Sequence, residues 1–387
     1  MIDVKHIAKD HASQNIPLEF WEAYGLGTYM LDGCHGNCLA QIQTVAMLSA
    51  LHTKATYAWQ GNGYKEKMHG HRLPATAAEQ IAGICAAVFR CDIAPSEFGF
   101  LRPNVSYAMD NCGMGGDLIV TANVSTIAAL IAAVGGIAMC KHGSPANADK
   151  GRHGSSDFMT YCGIDTLAPK ESVERCVESL SFGYTEALDT RYKLIHTQTH
   201  AVAKLPHMND IIGPITNPLD PKLLTSRVLG VNHLIPPRVV AEAYTILNDW
   251  GITSLRRGLF IRGFGDNGED SGMDELSICK GGTQVAELCE GKIKEYWLYP
   301  EDFGLEAVPE SAISPAGEMS KGDLSMAILR GDISGAPVKM VAANAALLFY
   351  LADFSNDLRA CYREAEEILV RGQAFQRMMQ VREFLPR

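Results

Sequence analysis

Residues 110–126, "DNCGMGGDLIVTANVST", place three glycines within four positions, then an aspartate, then Asn-Val-Ser-Thr at the head of an apolar run. The preceding "VSYAMD" (105–110) has strand character. The apolar run predicts a helix over about 125–134, and "GIAMC" a second strand. A polar loop, "KHGSPANADKGRHGSSD", then leads into the helical "FMTYCGI". A strand–helix–strand unit with polar loops after both strands is the usual element of a parallel α/β sheet.

Working outward, the first 98 residues read as helical. "FWEAYGLGTYMLDG" and "NCLAQIQTVAMLSALH" carry apolar residues at helix spacing, and a long polar loop follows over 53–74. "TAAEQIAGICAAVFR" opens with Thr76 and Glu79, a capping-box pattern. Downstream, "KESVERCVESLSFGYTEALDTRYKLIHTQTHAVAKL" reads as helical, "AEAYTILNDWG" as a helix, and "RGLFIRGFG" as a strand. "ELSICKGGTQVAEL" reads as a β-hairpin, and the C-terminal "DLRACYREAEEILVRGQAFQRMMQVREF" as a helix. The fold class is α/β: a small helical N-terminal domain, 1–98, and a larger domain, 99–387, with a mostly parallel sheet flanked by helices.

With 47% apolar and 20% charged residues the chain has ample core, and its net charge of -10 disfavours a nucleic-acid surface. No basic-then-apolar leader opens it, and the apolar run 126–140 is too short for a bilayer. Eleven cysteines in apolar contexts suit reduced thiols in the cytoplasm. Neither the Cys34, His35 and Cys38 group nor the His69/His71 loop has the second pair that zinc-finger spacing requires.

Three features carry chemistry. Glycines let a backbone turn tightly and approach a ligand, and a following helix adds amide donors and partial positive charge. "CGMGGD" therefore reads either as an oxyanion site or as a glycine turn in a packed sheet. It matches neither the dinucleotide fingerprint nor the P-loop. Asn123, Ser125 and Thr126 exceed what one helix cap needs, so they are candidates for phosphate oxygens, or for a metal through Ser125. Lys141 reads as a phosphate partner at the next strand end or as a solvated lysine. Ser155 and Ser156 open another helix. In "GDNGEDSGMDELS", Asp274 and Glu275 suit Mg²⁺ bridging to phosphates, or form a solvated acidic turn.

Together the motifs resemble those of the anthranilate phosphoribosyltransferase family, in the superfamily of the pyrimidine nucleoside phosphorylases. "DNCGMGGD" is similar to its D-x-x-G-T-G-G-D, with Met114 for Thr. "NVST", "KHG…GSSD", "GPITNP" and "GMDELS" resemble its other motifs, in order from about residue 76 to 350. The resemblance implies an enzyme moving phosphoribosyl from phosphoribosyl pyrophosphate (PRPP) to the nitrogen of anthranilate or a related aromatic amine, with Mg²⁺ and no protein nucleophile. It implies PRPP contacts from Gly113, Gly116, Asp117, Thr121, Asn123, Ser125, Thr126, Lys141 and Ser155. Ser125, Asp274 and Glu275 would hold the metal. It further implies a hinge, helices around 170–205 packing with the N-terminal domain, and a homodimer through that domain. A phosphate-using nucleoside phosphorylase and a non-catalytic binding protein are the alternatives; the glycine loop and acidic pair favour the transferase.

The departures lie on the acceptor side. Ser144 and Pro145 stand where the family has Asn-Arg after K-H-G, and the stretch "THAVAKLPHMNDIIGP", where the family has an Arg-Arg pair, has no arginine. Gly113, Ser144, Asn147 and His200 are the acceptor candidates, with Lys204 and His207 as further basic residues. A carboxylate acceptor is matched by the planar fork of arginine, so weak activity with anthranilate is expected.

Overall fold

The computed structural model describes residues 17–57, 77–146, 154–200, 206–266, 268, 270–315, 317 and 319–386, without the side chains of 57, 199 and 200. Thr76, His69, His71, Asn147, His153, Lys204 and the His200 side chain therefore lie outside the described residues, as does most of the 53–74 loop. The chain forms two compact units. The first takes residues 1–100, 187–218 and 234–253; the second takes 101–186, 219–233 and 254–387.

The first unit is helical: Phe20–Cys34, Cys38–Tyr57, Ala77–Ala87 running into the π-helical turn Val88–Ile93, Leu194–His200, Asn209–Ile215 and Pro237–Asp249. Buried polar groups tie its separate segments. Gln80 donates to Leu51 O at 2.9 Å and accepts Leu18 N–H at 3.2 Å. Asp92 accepts the amides of Leu194 and Ile195 at 3.0 and 3.1 Å. That carboxylate meets otherwise unpaired donors at a helix start, which is how 187–218 joins the N-terminal helices.

The second unit holds a seven-stranded sheet: β1 Ala108–Gly113, β2 Met139–Gly143, β3 Phe182–Glu186, β4 Leu224–Gly230, β5 Arg257–Gly263, β6 Thr283–Cys289 and β7 Lys292–Leu298, in the order β3-β2-β1-β4-β5-β6-β7. The first five run parallel, and β6 and β7 are antiparallel additions. The helix Val124–Val134 packs on β1 and β2 and against the helix Ala336–Leu351. It is buried except at Ser125 and Val134, as expected of a helix apolar on every side. Burying each of its Ile and Leu side chains stabilises the unit by about 1.5–3 kcal/mol.

Four local readings need correction. β1 and β2 begin later than the apolar pattern suggests and run on through "NCG" and "KHG", because parallel pairing continues to the glycines. β3 lies inside the stretch read as helical; Lys170–Leu180 ends at Ser181, whose φ of 55° turns the chain into the sheet. The hairpin is β6–β7, turning at Glu290 and Gly291, rather than 275–288. The C-terminal helix is two, Leu358–Val370 and Gln373–Phe384.

None of the eleven cysteines forms a disulfide, and only Cys38 and Cys289 are exposed. No described helix is long and apolar enough to cross a membrane.

Candidate active site

Strand order reverses at β1 and β4, and ligands of open α/β sheets bind beyond the carboxyl ends of strands at such a point. β1 ends in Gly113 and β4 in Gly230, and the two are register partners. Asp274 sits on both. A Cβ on Gly113 would lie 1.9 Å from Asp274 Oδ2, and one on Gly230 would lie 1.5 Å from Asp274 O. The glycines are therefore required by close approach. Gly230 has no signal in the sequence, since its need is created by a residue far along the chain.

The glycine loop is joined to the acidic loop bond by bond. Gly115 N–H donates to Asp274 Oδ2 at 2.6 Å, and Asp274 N–H to Asp117 Oδ1 at 3.1 Å. Leu118 N–H donates to Ser271 O at 2.9 Å, and Thr121 Oγ1 to Glu275 Oε2 at 2.9 Å. Asp117, Asp274 and Glu275 thereby bring one carboxylate oxygen each within 4.8 Å of one another. Asp117, read from the sequence as a PRPP contact, joins the acidic pair here.

Three clustered carboxylates disfavour one another's ionised forms. Burial, then Asp274 and Glu275, pushes the Asp117 carboxyl well above its ordinary range. Burial, then Asp274, pushes Glu275 up to about 7, while Lys321 opposes both shifts. An all-oxygen, highly charged donor set fits a hard cation such as Mg²⁺ and suits softer metals poorly.

Lys141 is wholly buried rather than at a strand end. Its ammonium donates to Asn111 O at 2.7 Å and Ser125 Oγ at 3.1 Å, and burial lowers its pKa. Asn111 Nδ2 donates to Ser125 O at 2.8 Å, so Ser125, Asn111 and Lys141 form one cluster. Asn123 occupies the N-cap position of Val124–Val134 without a side-chain capping bond. Its Nδ2 instead donates to Gly154 O at 3.2 Å. Thr126 is fully buried, and its hydroxyl has no hydrogen-bond partner among the described residues.

Below this cluster, Asp110 Oδ2 accepts from Arg227 Nη2 at 2.7 Å and lies 3.3 Å from His142 Nδ1. Burial opposes ionisation of Asp110, but Arg227 and then His142 outweigh it and hold the carboxyl below its usual range. Asp110, Cys112 and His142 have metal-ligand proximity. The guanidinium, also 3.1 Å from Cys112 Sγ, takes the cation's place there.

In the second loop Ser155 Oγ accepts from Tyr184 OH at 3.0 Å, and Ser144 O accepts Ser156 N–H at 3.2 Å. Asp157 holds the loop by accepting the amides of Ala146 and Gly154 at 2.7 and 2.8 Å. In the helical unit the "GPITNP" segment is gripped by Lys193, whose ammonium donates to Gly213 O at 3.1 Å and Thr216 O at 2.9 Å. His196 packs so closely that a Cβ on Gly213 would lie 2.2 Å from its Cε1. His207 lies 3.4 Å from Asp210, whose carboxyl burial pushes up to about 6. The sequence pattern gives no signal that Lys193 and His196 lie against this turn.

The family model described as glycosyl transferase family, a/b domain, matches residues 106–375. The anthranilate phosphoribosyltransferase of Shewanella sp. (strain MR-7) is 30% identical over 349 residues, 89% of this chain and 93% of that protein. That of Halorhodospira halophila is 32% identical over 277 residues, 69% and 73% of the two chains. Among solved structures, anthranilate phosphoribosyltransferase from Thermus thermophilus superposes with a TM-score of 0.74 at 28% identity, covering 99% of each chain. The Saccharomyces cerevisiae enzyme in complex with PRPP and Mg shares the fold, with a TM-score of 0.72 at 21% identity over 95% of this chain and 93% of that one.

Proposed function

The chain belongs to the anthranilate phosphoribosyltransferase family, and from that premise we propose that it moves phosphoribosyl from PRPP to the amino nitrogen of anthranilate, releasing pyrophosphate. The observation that carries this reading is the carboxylate trio fixed over the glycine loop where β1 and β4 end. The C–O bond to pyrophosphate breaks, the nitrogen bonds to the ribose carbon, and the nitrogen then loses a proton. Negative charge develops on the departing diphosphate, so the site's task is to bind and neutralise it.

Asp117, Asp274 and Glu275 would hold Mg²⁺, with Ser125 as a further oxygen donor. The cation supplies charge neutralisation at the diphosphate. Gly113, Gly116, Asn123, Thr126 and Ser155 are the residues proposed to contact PRPP. Lys141 contributes positive charge behind Ser125, and Thr121 acts by holding Glu275. On the acceptor side Gly113, Ser144, Asn147 and His200 are the residues proposed, with the 144–145 change as the point of difference. Free, mostly buried cysteines support a cytoplasmic enzyme. Exposed Leu39 and Ile42, one turn apart on Cys38–Tyr57, support pairing with a second copy through the helical unit.

The test is a pyrophosphate-release assay with PRPP, Mg²⁺ and anthranilate beside other aromatic amines and N-heterocycles. Turnover with anthranilate is expected, and a better acceptor in the panel would reassign the substrate. Calorimetry showing no PRPP binding in Mg²⁺ would sink the transferase reading.

A further inference from the structure

Asp274 Oδ2 stands 2.6 Å from Gly115 N, at the centre of the glycine loop, with the space beside Gly113 filled by the same carboxylate. That is how an oxygen of a bound anion sits on a backbone amide cradle. The neighbouring amides of Met114 and Leu118 are already engaged by Gly230 O at 3.0 Å and Ser271 O at 2.9 Å. A diphosphate oxygen that takes the Gly115 N–H must displace the Asp274 carboxylate from it. They also repel, and Asp117 and Glu275 crowd the same few ångströms, so further negative charge is disfavoured there. In a site of low dielectric, like charges at such distances are strongly unfavourable.

Resting on the transferase reading, we propose that Asp274 is a specificity-determining residue that makes the site accept diphosphate only as its metal complex. The carboxylate holds the amide cradle against free anions. A divalent cation removes that obstacle in two ways: it neutralises the trio, and it offers Asp274 a better partner than Gly115 N–H. The close fit at Gly113 and Gly230 gives the device its definition, because the Asp274 backbone is pinned against Gly230 while its carboxylate reaches the loop. Asp274 is thus more than a ligand, since its second function is exercised before any metal is bound.

The experiment is calorimetric titration of inorganic pyrophosphate into the full-length protein, first in EDTA and then in Mg²⁺. The wild type is expected to bind only in Mg²⁺. Asp274→Asn keeps the shape and an acceptor for Gly115 N–H but removes the charge; Asp274→Ala clears the cradle. Both should bind metal-free pyrophosphate at least tenfold more tightly than wild type and lose most of the Mg²⁺ enhancement. Thermal melting checks folding, and the isosteric Asn variant serves alone if the Ala variant does not fold. Unchanged or weaker metal-free affinity in the folded variants overturns the proposal. So does wild-type protein that binds free pyrophosphate as tightly as the Mg²⁺ complex. Wild type that binds Mg²⁺ and PRPP while the variants gain nothing leaves the transferase reading standing and removes this inference. Wild type that binds neither removes both.

Discussion

Ser325 Oγ accepts the backbone N–H of Asn123 at 2.7 Å across 202 residues of chain. It also lies 3.0 Å from Asn123 Oδ1, and the other end of that amide donates to Gly154 O. One buried serine on the helix Lys321–Arg330 thus fixes the start of Val124–Val134 and, through Asn123, the start of Ser155–Tyr161. Ser325→Ala strands a buried donor, at a cost of about 1–3 kcal/mol. The KM for PRPP should rise several-fold, with kcat changed less. Melting and steady-state kinetics check this; an unchanged KM would show that the contact is packing alone.

Gly230→Ala should be among the most damaging substitutions in the sheet. Its methyl would lie 1.5 Å from the Asp274 carbonyl oxygen, so the acidic loop must move. Overpacking of this kind costs about 1–3 kcal/mol or more. Mg²⁺-dependent PRPP binding should fall below detection while far-UV circular dichroism stays native-like. Retained binding would mean that the loop position is not critical.

Lys141→Ala removes a buried ammonium from Asn111 O and Ser125 Oγ. Losing a charged hydrogen bond is worth about 1.5–3 kcal/mol, so PRPP affinity should drop at least tenfold. Titration calorimetry in Mg²⁺ reads this directly, and a smaller loss would assign Lys141 to structure.

The strand–helix–strand unit was legible because its apolar run is long and its breaks are glycines. β3 was not, because "FGYTE" follows a strongly helical segment and is a strand only by pairing with β2. Unit membership was partly hidden, since 187–218 and 234–253 return to the first unit through contacts such as Asp92 with Leu194. The same division holds at the site. Asp274 and Glu275 stand out as adjacent carboxylates, but Asp117 joins them only by folding, and Gly230 and Ser325 matter only for what they touch. Local chemistry can be read from neighbours in sequence; reach across the sheet cannot.

His52 predicts acid sensitivity in the helical unit. Burial lowers its pKa to about 4, and Nε2 has no hydrogen-bond partner among the described residues. The unfolded chain takes up this proton near pH 6.5, the folded chain only near 4. Its contribution is therefore present above pH 6.5 and is lost as pH falls toward 4, up to about 3 kcal/mol. His52→Leu should flatten the pH dependence of unfolding in that window relative to wild type. Parallel urea titrations with the same slope for both proteins would rule this out.

The two exposed thiols, Cys38 and Cys289, fall one in each unit. Most of the others are buried, and burial pushes thiols such as Cys112 up to about 12, which slows their reaction with maleimides. The natural chain should therefore take a donor and an acceptor dye at these two positions without engineered cysteines. Energy transfer between them would then measure whether the separation of the two units changes when PRPP and Mg²⁺ are added.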